Sequence, residues 1–547
     1  MTHQNFARSR VGTPPVQGGY PGLNPQTKQV AEGIIFQQDV AIKLRDGTII
    51  YADLYRPSDA RDVPCVIGWA PYGKHPHLSF DGWPGAEVPP GSVSEFTPFE
   101  AADPLVWCKA GYALLFPDVR GTWGSGGDAS FFSKAEAEDE YDVIEWAAEQ
   151  SWCSGKVGLL GVSYLAISQW GAAGLQPPHL SAIIPWEGVT DVYREFFFHG
   201  GIPNTQFAEA WQHLVSYSQG YVEDIAAAMA DHPTFDDYWQ NKLPNLEAIQ
   251  VPAYIVASWT DHALHTRGTL EAFKRIGSKD KFLEIHGRKK WQYYYKDESV
   301  RKQMAFLDHY LKGLDTEVKE WPPVQLEVRD SFYEGEVRTE NEWPLARTSY
   351  EKLYLDGSNS TLKADPVSTV SKSVYVSTNV DRLCFDYTFS KQTELTGHSK
   401  LRIWLSTDKA SDADVYVGIQ KLDKESNFVN FPFFATYDDG IAALGWLRAS
   451  HRELDESRST DFQPFHSHSQ KQPLSPGVPV QLDIEIWPAS TRFEEGETLR
   501  IIIQGSDIQK YRPGLFAAGH YASNNQGKHT VYSGGEFQSY LLIPVIK

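Results

Sequence analysis

The stretch Lys156-Val-Gly-Leu-Leu-Gly161-Val162-Ser163-Tyr164-Leu165-Ala166 constrains this chain more than any other. An apolar, β-prone run from Val157 to Leu160 leads into Gly-Val-Ser-Tyr, and a small-residue helical run from Ala166 to Leu175 follows. Strand, sharp turn and helix in that order outline a nucleophile elbow. Such a turn lifts Ser163 above a sheet edge. It also aims the first helical N–H groups, beginning with Tyr164, at whatever Ser163 attacks, where their dipoles favour a developing negative charge. Leu165 stands where the Gly-x-Ser-x-Gly spelling has its second glycine, so the motif taken alone also fits a buried serine in an ordinary strand-to-helix turn.

The flanking text supplies the sheet that an elbow needs. Arg45-Asp46-Gly47-Thr48 is a hairpin signal inside the alternating segment Ile34 to Tyr55. Strands follow at Cys65 to Ala70, Tyr112 to Pro117, Ala182 to Trp186, Val251 to Ser258 and Lys281 to Ile285, with helices at Ala135 to Glu149, Gly268 to Arg275 and Asp297 to Gly313 between or after them. That alternation predicts an α/β chain with a doubly wound, mostly parallel sheet, whose chemistry collects beyond the carboxyl ends of its strands. From about Gly188 the period becomes helical, as in Phe207 to Tyr217 and Val222 to Ala230, which predicts a cap over the site and a cavity beneath it for an acyl group. Past Asp315, short alternating runs such as Lys400 to Ser406, Val415 to Leu422, Gln481 to Ile486 and Thr498 to Gln504 predict a β-sandwich. The expected division is an N-terminal arm (1–33), the first part of the α/β domain (34–187), a helical cap (188–250), the second part of the α/β domain (251–318) and the sandwich (319–547). A chain of 547 residues is too long for one core in any case.

Charge and cysteine usage exclude several function classes. A net charge of −20 repels a phosphate backbone, against nucleic-acid binding. No apolar run approaches the ~18 residues that span a bilayer, and the segment Met1 to Pro25 has no apolar core of a secretory signal, so no membrane role and a cytoplasmic location are expected. Cys65, Cys108, Cys153 and Cys384 are scattered without paired spacing, which indicates neither a disulfide framework nor a metal site.

A serine hydroxyl is a poor nucleophile until a base takes its proton, and the base needs a third group to orient it. In α/β-hydrolases the chain order is Ser, acid, His. Asp261 follows the strand ending at Ser258, and His286 follows the strand Lys281 to Ile285, so these two complete the expected set with Ser163. Each also has a bland reading: Asp261 as a helix N-cap, His286 as a strand-end imidazole bonded to backbone. His265 is the rival base, and His309 lies on a helix where a structural role is expected. Lys289 or Lys290 as base would need its pKa lowered by about 3 units, roughly 4 kcal/mol, which an imidazole does not. Tyr72, at the end of a neighbouring strand, is placed to donate to an oxyanion beside the Tyr164 N–H, or else to pack as an aromatic. Asp118 and Arg120 read as structural partners in a Gly-rich loop. Glu187, Asp191 and Glu195 read as a solvated helix face, with a substrate-ammonium site as the alternative.

Taken together, Pro71-Tyr72, Asp118-Val-Arg-Gly121, Gly161-Val-Ser-Tyr-Leu-Ala166-Ile-Ser-Gln-Trp170, Gly397-His-Ser-Lys-Leu-Arg-Ile-Trp404-Leu-Ser and Gly445-Trp-Leu-Arg-Ala-Ser450-His-Arg452 resemble the CocE/NonD hydrolases of the peptidase S15 (X-Pro dipeptidyl-peptidase) superfamily, from about Ile34 to the end. The resemblance implies an α/β-hydrolase domain with an inserted helical cap and a C-terminal jelly roll similar to galactose-binding folds. It implies Ser163 as acylated nucleophile, Asp261 as acid, and Tyr72 with the Tyr164 N–H as oxyanion hole. The family commonly carries its catalytic His in Gly-Pro-Trp-x-His after the last of these strands, whereas this chain reads His286-Gly-Arg-Lys-Lys-Trp291. Either His286 has taken the role or the triad is incomplete.

The reading is a serine hydrolase that cleaves a small-molecule carboxylic ester, or an amide, through an acyl-enzyme, with no cofactor and no metal. The alternatives are an X-Pro-type aminopeptidase and a catalytically impaired binding protein. A homodimer is an expectation carried by the resemblance alone.

Overall fold

The computed structural model describes residues 8–20, 22–512, 519–521 and 523–547. The strands that frame the site are, in chain order, β1 (Ser9–Val11), β2 (Gln26–Ala31), β3 (Ile34–Lys43), β4 (Ile49–Pro57), β5 (Val63–Ile67), β6 (Ala113–Asp118), β7 (Cys153–Val162), β8 (Leu180–Trp186), β9 (Phe198–His199), β10 (Ile202–Pro203), β11 (Tyr221–Glu223), β12 (Ala253–Ser258), β13 (Lys281–His286), β14 (Val324–Ser331) and β15 (Glu334–Glu340). The helices are α1 (Pro104–Lys109), α2 (Lys134–Ala148), α3 (Tyr164–Gly174), α4 (Thr205–Leu214), α5 (Ile225–Asp231), α6 (Asp237–Gln240), α7 (Thr266–Arg275), α8 (Lys290–Tyr294) and α9 (Asp297–Lys312).

The main sheet runs β2-β3-β4-β6-β5-β7-β8-β12-β13-β14-β15, parallel from β6 to β14 and antiparallel at both edges. Its central strands are apolar on both faces: Val157, Leu159, Leu160, Ile183, Ile184, Ile255 and Val256 are all buried, as a sheet covered by helices on both sides requires. The main sheet extends beyond the expected boundary at 318, because β14 pairs parallel with β13 through Leu283/Val324 to Ile285/Leu326. Val324, Leu326 and Val328 are buried, so this strand reads like any other half of an alternating pair and nothing local separates it from the sandwich strands that follow.

The insertion after β8 holds α4, α5 and α6, and its short strands pair with each other (β9 with β10) or with the N-terminal arm (β11 with β1) rather than with the main sheet. Its aromatic residues Phe196, Phe197, Phe207 and Trp211 belong to the same buried core as the sheet, so the cap is packed down rather than loosely tethered. The C-terminal part is two antiparallel layers enclosing their own core, with Leu401, Ile403, Val417, Ile484, Ile501 and Leu541 among its buried members. Arg329 joins the two halves: 1% exposed, its guanidinium donates to the carbonyls of Ser490, Trp259 and Ala442. No helix among the described residues is long and apolar enough to cross a membrane.

Candidate active site

The turn between β7 and α3 holds Ser163 at φ 60°, ψ −115°, a conformation that a non-glycine residue adopts only where its surroundings enforce it, at a cost of about 1–3 kcal/mol. The Ser163 N–H donates to the Trp186 carbonyl on β8, and its own carbonyl accepts the N–H groups of Ala166 and Ile167. The missing second glycine has a steric explanation. Leu165 folds back over Gly161, where an added Cβ would lie 2.4 Å from the Leu165 Cβ, and its tip lies above Gly68 of the neighbouring strand end. The glycines beneath the elbow supply the space that the spelling normally supplies within it.

The imidazole beside the serine is that of His265, not of His286. Its Nε2 lies 3.1 Å from the Ser163 Oγ, and its Nδ1 donates to Asp261 Oδ2 at 2.5 Å. The loop after β12 makes one turn so that the His265 N–H reaches the Asp261 carbonyl, and His265 then caps the start of α7. Asp261 and His265 are therefore four residues apart on one bend. The C-terminal layers pin that bend from outside: the Phe434 N–H donates to the Thr260 carbonyl at 2.8 Å, and the Leu444 N–H to His262 Nδ1 at 3.1 Å.

His286 ends β13 facing elsewhere. It stacks on Tyr293 with ring centres 3.9 Å apart, accepts the Arg288 N–H at Nδ1, and holds Nε2 3.2 Å from Glu187 Oε1 without hydrogen-bond alignment. Burial lowers its pKa to about 3, so it is a neutral core histidine. The expectation that placed it in the triad rested on strand-end position, which the chain instead fills at the N-terminus of α7. His309, on α9, bonds the Leu314 carbonyl, a helix-end role.

Both lysines of the Arg288-Lys289-Lys290 segment are buried. Lys289 Nζ is tied to the Gly85 carbonyl and to Glu87 and Asp438. Lys290 Nζ lies 3.6 Å from Asp261 Oδ2 and 3.9 Å from Glu100 Oε1. Burial works against its charge, but Asp261, Glu100 and Glu187 together raise its pKa, so it is a fixed cation behind the triad rather than a base. Glu187 completes this group. Burial, reinforced by the Asp261 charge, raises its pKa well above the carboxylate range, and its Oε2 accepts from the Ser258 hydroxyl at 2.9 Å.

Glu187, Asp191 and Glu195 are thus not a solvated face; all are buried. Asp191 pairs with Arg194 at 2.6 Å and Glu195 with Arg267 at 2.7 Å, because the chain after β8 turns inward through one π-helical turn, Tyr193–Phe197. Glu187, Asp261 and His265 also bring potential ligand atoms within 4.8 Å of one another. Asp261 and His265 are bonded to each other there, and the Lys290 ammonium opposes a second cation.

The electrostatics suit proton abstraction. Burial holds the His265 pKa down to about 4, with Asp261 opposing and Lys290 reinforcing the shift. Burial alone would raise that of Asp261, yet His265 and Lys290 hold it down to about 2. At neutral pH the imidazole is neutral, with its proton on the nitrogen facing Asp261 and a lone pair facing Ser163. Activity that requires neutral His265 falls as pH drops through its pKa. Removing the Lys290 charge favours the imidazolium, so Lys290→Met is expected to move the acid limb of the kcat/KM profile to higher pH. An unmoved limb in a pH-rate measurement would contradict this placement of the lysine.

Tyr72 lies in the loop after β5, 5% exposed. That loop is anchored by Lys74, whose N–H bonds Asp118 and whose ammonium sits 2.8 Å from Asp39 and 3.1 Å from Asp118. Arg120 is held by Asp139 and Asp46, so Asp118 and Arg120 both serve the loop's architecture. Burial raises the Tyr72 pKa, and hydrogen bonds from Trp211 and with Ser163 only partly offset it, so the phenol keeps its proton and can donate. The Tyr164 N–H, at the first position of α3, has no acceptor within the helix and is the second donor beside Ser163. Two neighbours had no signal in the sequence. Trp211 of α4 donates from Nε1 to the Tyr72 hydroxyl at 3.3 Å, and Glu136 of α2 accepts from the Tyr164 hydroxyl at 2.7 and 2.8 Å. Ser163 is 7% exposed, so the serine is buried where a cavity beneath the cap was expected to reach it.

With this geometry in view, comparison with known proteins gives consistent matches. The family model for X-Pro dipeptidyl-peptidase (S15 family) matches residues 46–290, and that for the X-Pro dipeptidyl-peptidase C-terminal non-catalytic domain matches residues 316–542. The chain is 26% identical to the cocaine esterase of Rhodococcus sp. (strain MB1 Bresler), covering 93% of this chain and 98% of that one. It is similar to the crystal structure of a CocE/NonD family hydrolase from Staphylococcus aureus, with 40% identity, a TM-score of 0.91, and coverage of 96% of this chain and 97% of that one. It shares its fold with an α-amino acid ester hydrolase at 19% identity and a TM-score of 0.71, over 95% of this chain and 98% of that one.

Proposed function

Since this chain belongs to the CocE/NonD family of hydrolases and is a serine hydrolase, we propose that Ser163, His265 and Asp261 carry its chemistry, that Tyr72 and the Tyr164 N–H hold the oxyanion, and that the substrate is an uncharged carboxylic ester. The observation that carries the reading is the 3.1 Å contact between Ser163 Oγ and His265 Nε2 on a strained elbow. His265 takes the serine proton as Oγ attacks the acyl carbon. The carbonyl oxygen, now an alkoxide, is met by the Tyr164 N–H and the Tyr72 hydroxyl. Collapse of the tetrahedral species expels the alcohol, which receives the proton from His265, and water repeats the sequence to free the acid.

An ester is favoured because an alkoxide leaves more readily than an amide nitrogen, and because an aminopeptidase needs free carboxylates to hold the substrate ammonium. Glu187, Asp191 and Glu195 are each committed to a partner within the protein. Aryl acetates or benzoates are expected to be hydrolysed with burst kinetics, while Xaa-Pro anilides are left intact under the same conditions. Comparable turnover of the anilides would replace this reading with the peptidase one. We also read residues 34–187 and 251 to about 340 as the catalytic domain, 188–250 as its cap, and the C-terminal layers as a jelly roll, a division supported by the separate apolar core of those layers.

A further inference from the structure

We propose that the cavity between α2 and α3, adjacent to the serine site but not lined by Ser163, binds a small organic ammonium ion through Glu140. The inference is independent of the hydrolytic reading. The two helices touch where Gly171 meets Ala137, with only 3.0 Å between an added Cβ and the Ala137 Cβ, and α3 touches the 240–245 segment where Gly174 meets the Asn245 carbonyl. Between these contacts they separate around a cavity of about 420 Å³, a size typical of small-ligand sites. Ile167, Leu175, Val189, Val192, Leu243 and Pro244 give it apolar walls. Its rim carries exposed Gln240 and Asn241, which leaves a path to solvent.

Glu140 is set in this lining at 1% exposure, and neither of its carboxyl oxygens has a hydrogen bond of normal geometry. The Ser168 hydroxyl stands beside it. Other polar groups of the cavity are already engaged: Glu136 by Trp69, Tyr164 and Phe132, and Lys242 by Glu223 and the Phe131 carbonyl. A buried carboxyl whose only neighbouring hydroxyl is poorly aligned is an unstable arrangement that an incoming N–H group relieves. Burial and the neighbouring Glu136 hold Glu140 neutral in the empty cavity. An ammonium ligand reverses that preference by offering both charge and donors, and its hydrocarbon part matches the walls. A neutral alcohol of the same shape offers one donor and no charge.

Calorimetric titration of the whole protein with benzylammonium chloride and with benzyl alcohol, at equal ionic strength, tests this. The wild-type protein is expected to bind one benzylammonium at least ten-fold more tightly than benzyl alcohol. Glu140→Gln is expected to abolish that preference while leaving ester hydrolysis unchanged. No binding of benzylammonium, equal affinity for the two probes in the wild type, or a preference that survives in Glu140→Gln would each overturn the proposal. The wild-type comparison decides even where the variant fails to fold.

Discussion

His265→Ala is expected to lower ester turnover by about 10⁴–10⁶-fold with the fold intact, because a serine without its base retains only what binding and oxyanion stabilisation provide. His286→Ala is expected to keep turnover within about ten-fold per folded molecule and to cost about 1–3 kcal/mol of stability, since it removes the ring stacked on Tyr293 and opens a void beside Glu187. Steady-state kinetics on the two purified variants, with thermal unfolding as the control, separates them. Equal losses in both would mean that His286 acts on the triad through Glu187 and Asp261. A large loss in His286→Ala alone would return the base to the end of β13.

The second large effect is at the acid. Asp261→Asn preserves shape but removes the charge that sets the imidazole tautomer, and should lower kcat by about 10⁴-fold with little change in KM. Lys290 and Glu187 make the expected response of this site more severe than a solvent-facing acid would show. In the variant, the Lys290 ammonium loses its 3.6 Å partner while staying buried, so a fall in stability should accompany the fall in rate. Retained kcat in a folded Asp261→Asn protein would remove Asp261 from the triad.

The elbow was legible because its signal is local: apolar strand, glycine, serine and small-residue helix all lie within about twenty residues. The sheet was legible for the same reason, as alternation of buried strands with amphipathic helices. The base was not. Strand-end logic pointed to His286, and His265 sits only four residues past the acid because the chain makes a single turn there, held in place by Phe434 and Leu444 from far along the sequence. The carboxylates after β8 were misread because the chain there turns inward through a π-helical turn: Asp191 pairs with Arg194 inside the protein rather than on a solvated face, and Glu195 is met by Arg267 of α7, which no local periodicity marks. The Leu165 departure from the usual spelling likewise becomes intelligible only when Gly68 is seen beneath it. The extension of the main sheet past 318 was not legible because β14 carries the same alternation whether it joins the main sheet or the strands that follow.

The most direct measurement is the site and rate of covalent labelling by a fluorophosphonate, read by peptide mass spectrometry on the wild type and on the two histidine variants. The predicted result is one adduct, on Ser163, formed at closely similar rates in the wild type and His286→Ala and at least about 10³-fold more slowly in His265→Ala. An adduct on another residue, or undiminished labelling of Ser163 in His265→Ala, would contradict it.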